Sequence, residues 1–347
     1  MAELLKPQGY ATALIGKWHL GLSKERSPVA QGFDYYSGVP LSQVDKGQCG
    51  HEEYYKRQWR IQDTKGRDEV EYNPCEEEFT QRCTKEAISF IDRNKDRPFF
   101  LYVAQLMVHI EVVASPEFVG KSPRGVYGDA CQELDWSTGQ ILDHLKKLGL
   151  DENTIVVYTS DNGGVPRRNS TVLQTTSSSN LPLRGSKFEM WEGGSHTPCI
   201  IRWPGKIPGG RVSDELADVT DFLPTFAHLA GAKLPEDRAI DGLNLWPFLN
   251  GTQTNSPRQM HAYFGDLEAR KTHALRVGPW KLIYRSKGEP SLYNLKTDLS
   301  EKKNVAKDHP EIVKQLTAYA AQVNAALKAD KPRPLPPVLP AQEENKP

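Results

Sequence analysis

The chain has 347 residues, enough to bury a large core, and 38% hydrophobic against 25% charged residues is an ordinary balance for a globular enzyme. Its 44 Lys and Arg match its 44 Asp and Glu, so there is no global basic field to draw in nucleic acid and no acidic one to argue for a charged tail. The longest apolar runs, such as Phe99–Ala104, are strand-sized, which argues against a membrane span.

In chain order, Ala2-Glu3-Leu4-Leu5-Lys6 has the pattern of the last turns of an amphipathic helix with no N-cap before it. The chain is therefore expected to begin partway through a helix. Met1–Pro7 lacks a charged region followed by a long apolar one and does not read as a signal peptide. Tyr10–Ile15 predicts a strand, and the polar stretch Leu41–Asn73 predicts a long surface excursion. Phe79, Cys83, Ala87, Phe90 and Ile91 recur at helical spacing. Phe99–Gln105 predicts a strand, Tyr127–Leu148 a helix stopped by Gly149, and Thr154–Thr159 and Cys199–Trp203 buried strands. Asp218–Ala230 reads as a helix leading to Gly231.

Strands alternating with helices predict an α/β fold, with a mostly parallel sheet covered on both faces. Beyond Gly251 the spacing changes. Ala274–Val277, Trp280–Tyr284 and Ser291–Asn294 predict a small antiparallel sheet, followed by one helix over His309–Leu327. The expected organisation is an α/β domain over 1–251, an α+β subdomain over 252–330 and a disordered proline-rich tail over 331–347. The five cysteines show no C-x-x-C spacing, which disfavours zinc. Cys131 and Cys199 read as core, while Cys49, Cys75 and Cys83 leave room for one disulfide in an exported protein.

Four segments place polar groups beside strands, where open α/β sheets bind ligands. Asp161-Asn162-Gly163-Gly164 offers a carboxylate and an amide oxygen, which suit a hard cation such as Ca²⁺ or Mg²⁺; an ordinary Asx turn is the bland alternative. Lys17 and His19, two apart in an extended segment, are expected on one side, as a pair able to hold an anionic oxygen. Lys187 lies in a glycine-punctuated loop between Arg184-Gly185-Ser186 and Glu192-Gly193-Gly194. His109 follows the Phe99–Gln105 strand and is either a buried, hydrogen-bonded histidine or a general acid. Singly each is weak, but together they favour an anion site with a metal.

Gly9-Tyr10-Ala11-Thr12-Ala13-Leu14-Ile15-Gly16-Lys17-Trp18-His19-Leu20-Gly21 resembles the second signature of the type I sulfatases. The later landmarks keep that family's order: Gly32-Phe33-Asp34, His109, Thr159-Ser160-Asp161-Asn162-Gly163, Leu183–Lys187, Glu192-Gly193-Gly194 and Trp203-Pro204-Gly205. Arg124–Asp129 and Asp237–Asn244 look most like the arylsulfatase A and N-acetylgalactosamine-6-sulfatase branch.

The resemblance implies an alkaline-phosphatase-like fold and hydrolysis of sulfate esters, of sulfated sugars or polysaccharides above all. It implies that Asp161 and Asn162 ligate Ca²⁺, that Lys17 and Lys187 hold sulfate oxygens, that His19 hydrogen-bonds the nucleophile and that His109 protonates the leaving alcohol. It also implies a formylglycine nucleophile and an exported or lysosomal protein. Three departures stand out. No cysteine is followed by x-Pro-x-Arg, so the formylglycine motif, with the family's first strand and its two aspartates, is expected upstream of Met1. Val108 and Ile110-Glu111 replace prolines around His109, and His196 replaces an arginine. This chain alone is therefore expected to be inactive and poorly stable. Competing readings are a non-catalytic protein that binds sulfated glycans and a phosphoester or phosphonate hydrolase, against which Gly16–Gly21 speaks.

Overall fold

The computed structural model describes residues 1–21, 23–41, 58–72, 74–109, 111–165, 178–264, 272–284 and 288–339. The chain divides into two compact units. One comprises Met1–Thr154, Pro166–Ser178 and Ala230–Lys233, and the other Ile155–Val165, Ser179–Leu229 and Leu234–Pro347.

In the first unit, helix α1 (Ala2–Leu5) leads through a 3-10 turn to β1 (Ala11–Lys17). Strand alternation sends β1 side chains to two faces. Ala11, Ala13 and Ile15 pack with Phe79, Cys83, Ala87 and Phe90, all in α2 (Phe79–Asn94). Leu14 joins Ala2, Phe33 and Tyr36 in a second cluster. This two-sided burial explains why β1 is apolar at nearly every position. Strands β2 (Tyr35–Val39) and β5 (Phe99–Ala104) flank β1 in parallel, with Gly16 level with Gly38 on one side and Ala104 on the other.

Beyond β2 the sheet continues antiparallel through β3 (Gln58–Asp63) and β4 (Asp68–Tyr72), in the order β4-β3-β2-β1-β5. These last two strands fall in the stretch expected to be a surface excursion. They are too charged to show an apolar period, and the bidentate Arg60–Asp68 pair ties them together. Positions 42–57 and 73 of that excursion lie outside the described residues. Helix α3 (Gly125–Lys147) lies against α2, with Thr84 Oγ1 and Ser137 Oγ in hydrogen-bond contact.

In the second unit, β6 (Val156–Thr159) and β7 (Cys199–Arg202) pair antiparallel with each other. The sequence placed both in a parallel sheet as buried strands. Tyr158 and Ile200 are in fact exposed, and four-residue apolar runs do not reveal pairing direction. Short helix α4 (Glu192–Ser195) precedes β7, and α5 (Phe222–Ala230) and α6 (Trp246–Leu249) follow it. A meander then forms from β8 (Met260–Phe264), β9 (Thr272–Val277), β10 (Trp280–Ile283) and β11 (Ser291–Asn294).

One face of the meander (Met260, Ala262, Leu275, Val277, Trp280, Leu282, Leu292) packs on Ile312, Leu316, Tyr319, Ala320 and Val323 of α7 (Pro310–Lys328). In the proline-rich segment, Arg333 pairs with Asp241 at 2.7 Å and Pro334 O accepts from Tyr319 Oη.

The cysteine reading is corrected at two places. Cys131 and Cys199 are exposed rather than core, because each lies on the solvent side of its element. Cys75 and Cys83 are free thiols, and Cys49 lies outside the described residues. No helix among the described residues is long and apolar enough to cross a membrane.

Candidate active site

Residues singled out by the sequence occur in both units. In the first, Lys17 closes β1. Trp18 N donates to Val39 O and His19 N to Pro40 O, so the segment continues to track β2 after the strand ends. The Trp18 indole turns away, donating to Arg26 O at 2.8 Å and meeting Phe33 edge-on. His19 has φ +57, a left-handed conformation that costs a non-glycine residue about 1–3 kcal/mol and is concentrated at functional sites. The extended geometry assumed in setting Lys17 and His19 on one side therefore does not include His19. Lys17 is half-buried and His19 exposed.

His109 sits in a turn after β5, with its N–H donating to Leu106 O at 3.2 Å and its side chain half-buried. Because β1 and β5 are parallel neighbours with Gly16 level with Ala104, Lys17, His19 and His109 all leave the same sheet beyond the carboxyl ends of adjacent strands.

In the second unit three loops nest together. After β6, the Ser160 hydroxyl donates to Asn162 O, and the Asn162 amide donates to Gly163 O at 2.9 Å. Gly163 N donates to Gly194 O at 2.9 Å, Lys187 N to Gly164 O at 3.3 Å and Gly193 N to Arg184 O at 2.7 Å. Asn180 clamps the same knot: its Oδ1 accepts from Gly164 N, and its Nδ2 donates to Gly164 O and Gly185 O. The glycines are required by proximity, since a Cβ on Gly163 would lie 1.8 Å from Gly193 O. Asp161 and Asn162 are thereby fixed relative to the Lys187 loop. Lys187 itself is half-buried, 5.2 Å from the ring of Phe188, which is 87% exposed.

Sequence reasoning named Glu192-Gly193-Gly194 as a landmark but missed what Glu192 does. It is buried, accepts from Tyr263 Oη and Lys281 Nζ, and lies 3.2 Å from Arg276 Nη1 and 3.4 Å from His196 Nδ1. His196, noted as standing in place of an arginine, is thus placed against Glu192. The available signal was a lysine inside the apolar run Trp280-Lys281-Leu282-Ile283.

The side-chain oxygens of Asp161 and Asn162, neighbours in sequence, are donors of the kind a calcium-type cation takes, but such an ion wants about six to eight oxygens. Among the described residues no group of three or more His, Cys, Asp or Glu side chains gathers to complete a site. The donor type fits; the donor number does not.

The family model described as Sulfatase matches residues 1–232, and that described as N-sulphoglucosamine sulphohydrolase, C-terminal, matches 186–326. The chain is 40% identical over 275 residues to N-acetylgalactosamine-6-sulfatase of Canis lupus familiaris, covering 77% of this chain and 51% of that protein. It is 34% identical over 322 residues to human steryl-sulfatase, covering 74% of this chain and 55% of that protein. It thus spans about half the length of these curated relatives.

Among solved structures, the PsFucS1 sulfatase from Pseudoalteromonas sp. superposes with a TM-score of 0.84 at 28% identity, over 97% of this chain and 74% of that one. Sulfatases of this type have the alkaline-phosphatase-like fold, and the mixed sheet with helices, the small antiparallel sheet and the C-terminal helix correspond to it. On sequence and fold together, the chain belongs to the sulfatase family.

Proposed function

We propose that the protein, at its native length, hydrolyses sulfate monoesters of sulfated sugars. The observation that supports the reading is the nesting of the Asp161–Gly164 and Arg184–Lys187 loops, whose backbones are hydrogen-bonded together in a chain of this family. Similarity to N-acetylgalactosamine-6-sulfatase supports an amino-sugar sulfate as the substrate class.

A sulfate monoester carries negative charge on its peripheral oxygens, and departure of the alkoxide adds charge at the bridging oxygen. Lys17 and Lys187 hold the peripheral oxygens with ammonium donors, which offset that charge. His109 delivers a proton to the bridging oxygen as the alcohol leaves. His19 donates a hydrogen bond that orients the attacking oxygen. Asp161 and Asn162 would supply two of the roughly six to eight oxygens that a calcium-type ion takes, and such an ion would add charge neutralisation. The family implies a formylglycine nucleophile, and no cysteine of this chain stands in its motif.

The test is turnover of a sulfated N-acetylgalactosamine by the protein at native length and by Lys187→Ala. Loss of one charged donor at the transition state is expected to lower kcat about 10²–10³-fold. Unchanged kcat in Lys187→Ala would remove Lys187 from the site. Saturable binding of the sulfated sugar without release of sulfate would favour a binding protein instead.

A further inference from the structure

The strand alternation of the C-terminal meander sends two sets of residues in opposite directions. Trp280 and Leu282 face α7, whereas Ile283 belongs to the opposite cluster with Tyr263, Ala274 and Tyr293. Lys281, Arg276 and Tyr263 share that opposite face; Lys281 is level with Arg276, and Arg276 with His261. Met190 and Trp191 pack against the same face, bringing Glu192 down onto it.

There Lys281, fully buried, has its Nζ 2.8 Å from Glu192 Oε1, 2.8 Å from Glu301 Oε1 and 4.2 Å from the Tyr263 ring centre. Glu301, also fully buried and with φ +52, uses Oε2 to accept the Glu192 N–H at 2.8 Å. The Glu301 carbonyl oxygen accepts from Arg184, whose guanidinium lies 3.6 Å from the Trp191 ring centre. Through Glu192 and Arg184 this cluster grips both arms of the loop knot that carries Gly163, Gly164 and Lys187.

Buried charge clusters are poor sources of net stability, because desolvation offsets most of the Coulomb gain; where they are kept, fixing one arrangement is their best-attested use. The charge balance here fits that use. Burial pushes the Glu192 carboxyl up, but His196, Lys281 and Tyr263 overcome it and hold it well below the ordinary carboxylate range. Burial raises Glu301 above its ordinary value despite Lys281, so it is the weaker acid of the two.

We propose that Lys281 is a positioning residue for the candidate anion site: from the C-terminal sheet, and through Glu192 and Glu301, it fixes the backbone on which Asp161, Asn162 and Lys187 stand. The proposal rests on the reading of those three as site residues, but its test needs no turnover.

The experiment is amide hydrogen exchange on the whole chain with Lys281→Met, Lys281→Arg and the double variant Lys281→Met/Glu301→Gln. The double variant removes one charge of each sign and leaves Glu192 with Arg276 and Tyr263. Lys281→Met is expected to speed exchange at Gly163, Lys187 and Gly193 at least tenfold, while the amides of β9, β10 and α7 change less than twofold. Lys281→Arg is expected to restore at least part of the loop protection.

If Lys281→Met does not fold, the double variant reads the same contrast. Equal acceleration throughout the second unit, or unchanged protection of the three loop amides in a folded variant, overturns the proposal. Should sulfate turnover be absent while the local loosening is seen, the functional reading fails and the positioning role stands.

Discussion

At the end of β1 the backbone of Gly16 lies against Ala104. A Cβ there would come within 2.0 Å of the Ala104 carbonyl oxygen, and φ is +106. Gly16→Ala is expected to lower stability by about 3 kcal/mol or more, read as a fall in the denaturant midpoint at unchanged slope. A smaller loss would mean that β1 and β5 separate easily and that the strand-end geometry is soft.

The same residues show how far a sequence reaches. Lys17, His19 and His109 were recognisable because each follows an apolar run, and the sheet does bring them to one edge. The left-handed backbone of His19 was not legible, because period two holds only while the chain is extended and His19 leaves that conformation. Glu192 was legible as part of a motif, but its partners Lys281 and Glu301 lie 89 and 109 residues away, and no local pattern carries that information.

Between α5 and β8, Asp221 and Arg258 form a buried pair. Arg258 donates through Nε and Nη2 to both oxygens of Asp221, which also accept from Asp218 N and Leu243 N. Removing the cation alone leaves a carboxylate in the interior, so Arg258→Met is expected to cost about 3–5 kcal/mol by chemical denaturation.

Asp218 makes a second link to β8, its Oδ2 lying 2.7 Å from His261 Nδ1. Burial pushes its carboxyl up, but His261 and the Thr220 amide outweigh that and hold it well below the ordinary range. The charged form is thus favoured by folding. Its contribution is complete above the unfolded value of about 3.9 and is lost as pH falls below that, toward the folded value. The stability gap between the native chain and Asp218→Asn is expected to shrink between pH 7 and pH 3; a constant gap would show that the pair adds no pH-dependent stability.

Periodicity served well here for long elements. The helices Phe79–Asn94, Gly125–Lys147 and Pro310–Lys328 were all legible, whereas β8 was passed over because Met260–Phe264 alternates only weakly. Direction of pairing in β6 and β7 was not legible, since a four-residue run carries no signal for it.

At the scale of the molecule, the α/β character and the C-terminal antiparallel sheet followed from the order of apolar runs, and the sulfatase relatives share that architecture. The compact units cut across the expected boundary at Gly251, because β6, β7 and α5 gather with the C-terminal meander. Long-range contact, rather than any change in composition, draws that line.

The measurement that tests the central claim most directly is release of inorganic sulfate from a 6-sulfated N-acetylgalactosamine by the protein at native length, beside the matched phosphate ester. The account predicts sulfate release well above phosphate release and its loss in Lys187→Ala. Preference for the phosphate ester, or binding of the sulfated sugar with no sulfate released, would contradict it.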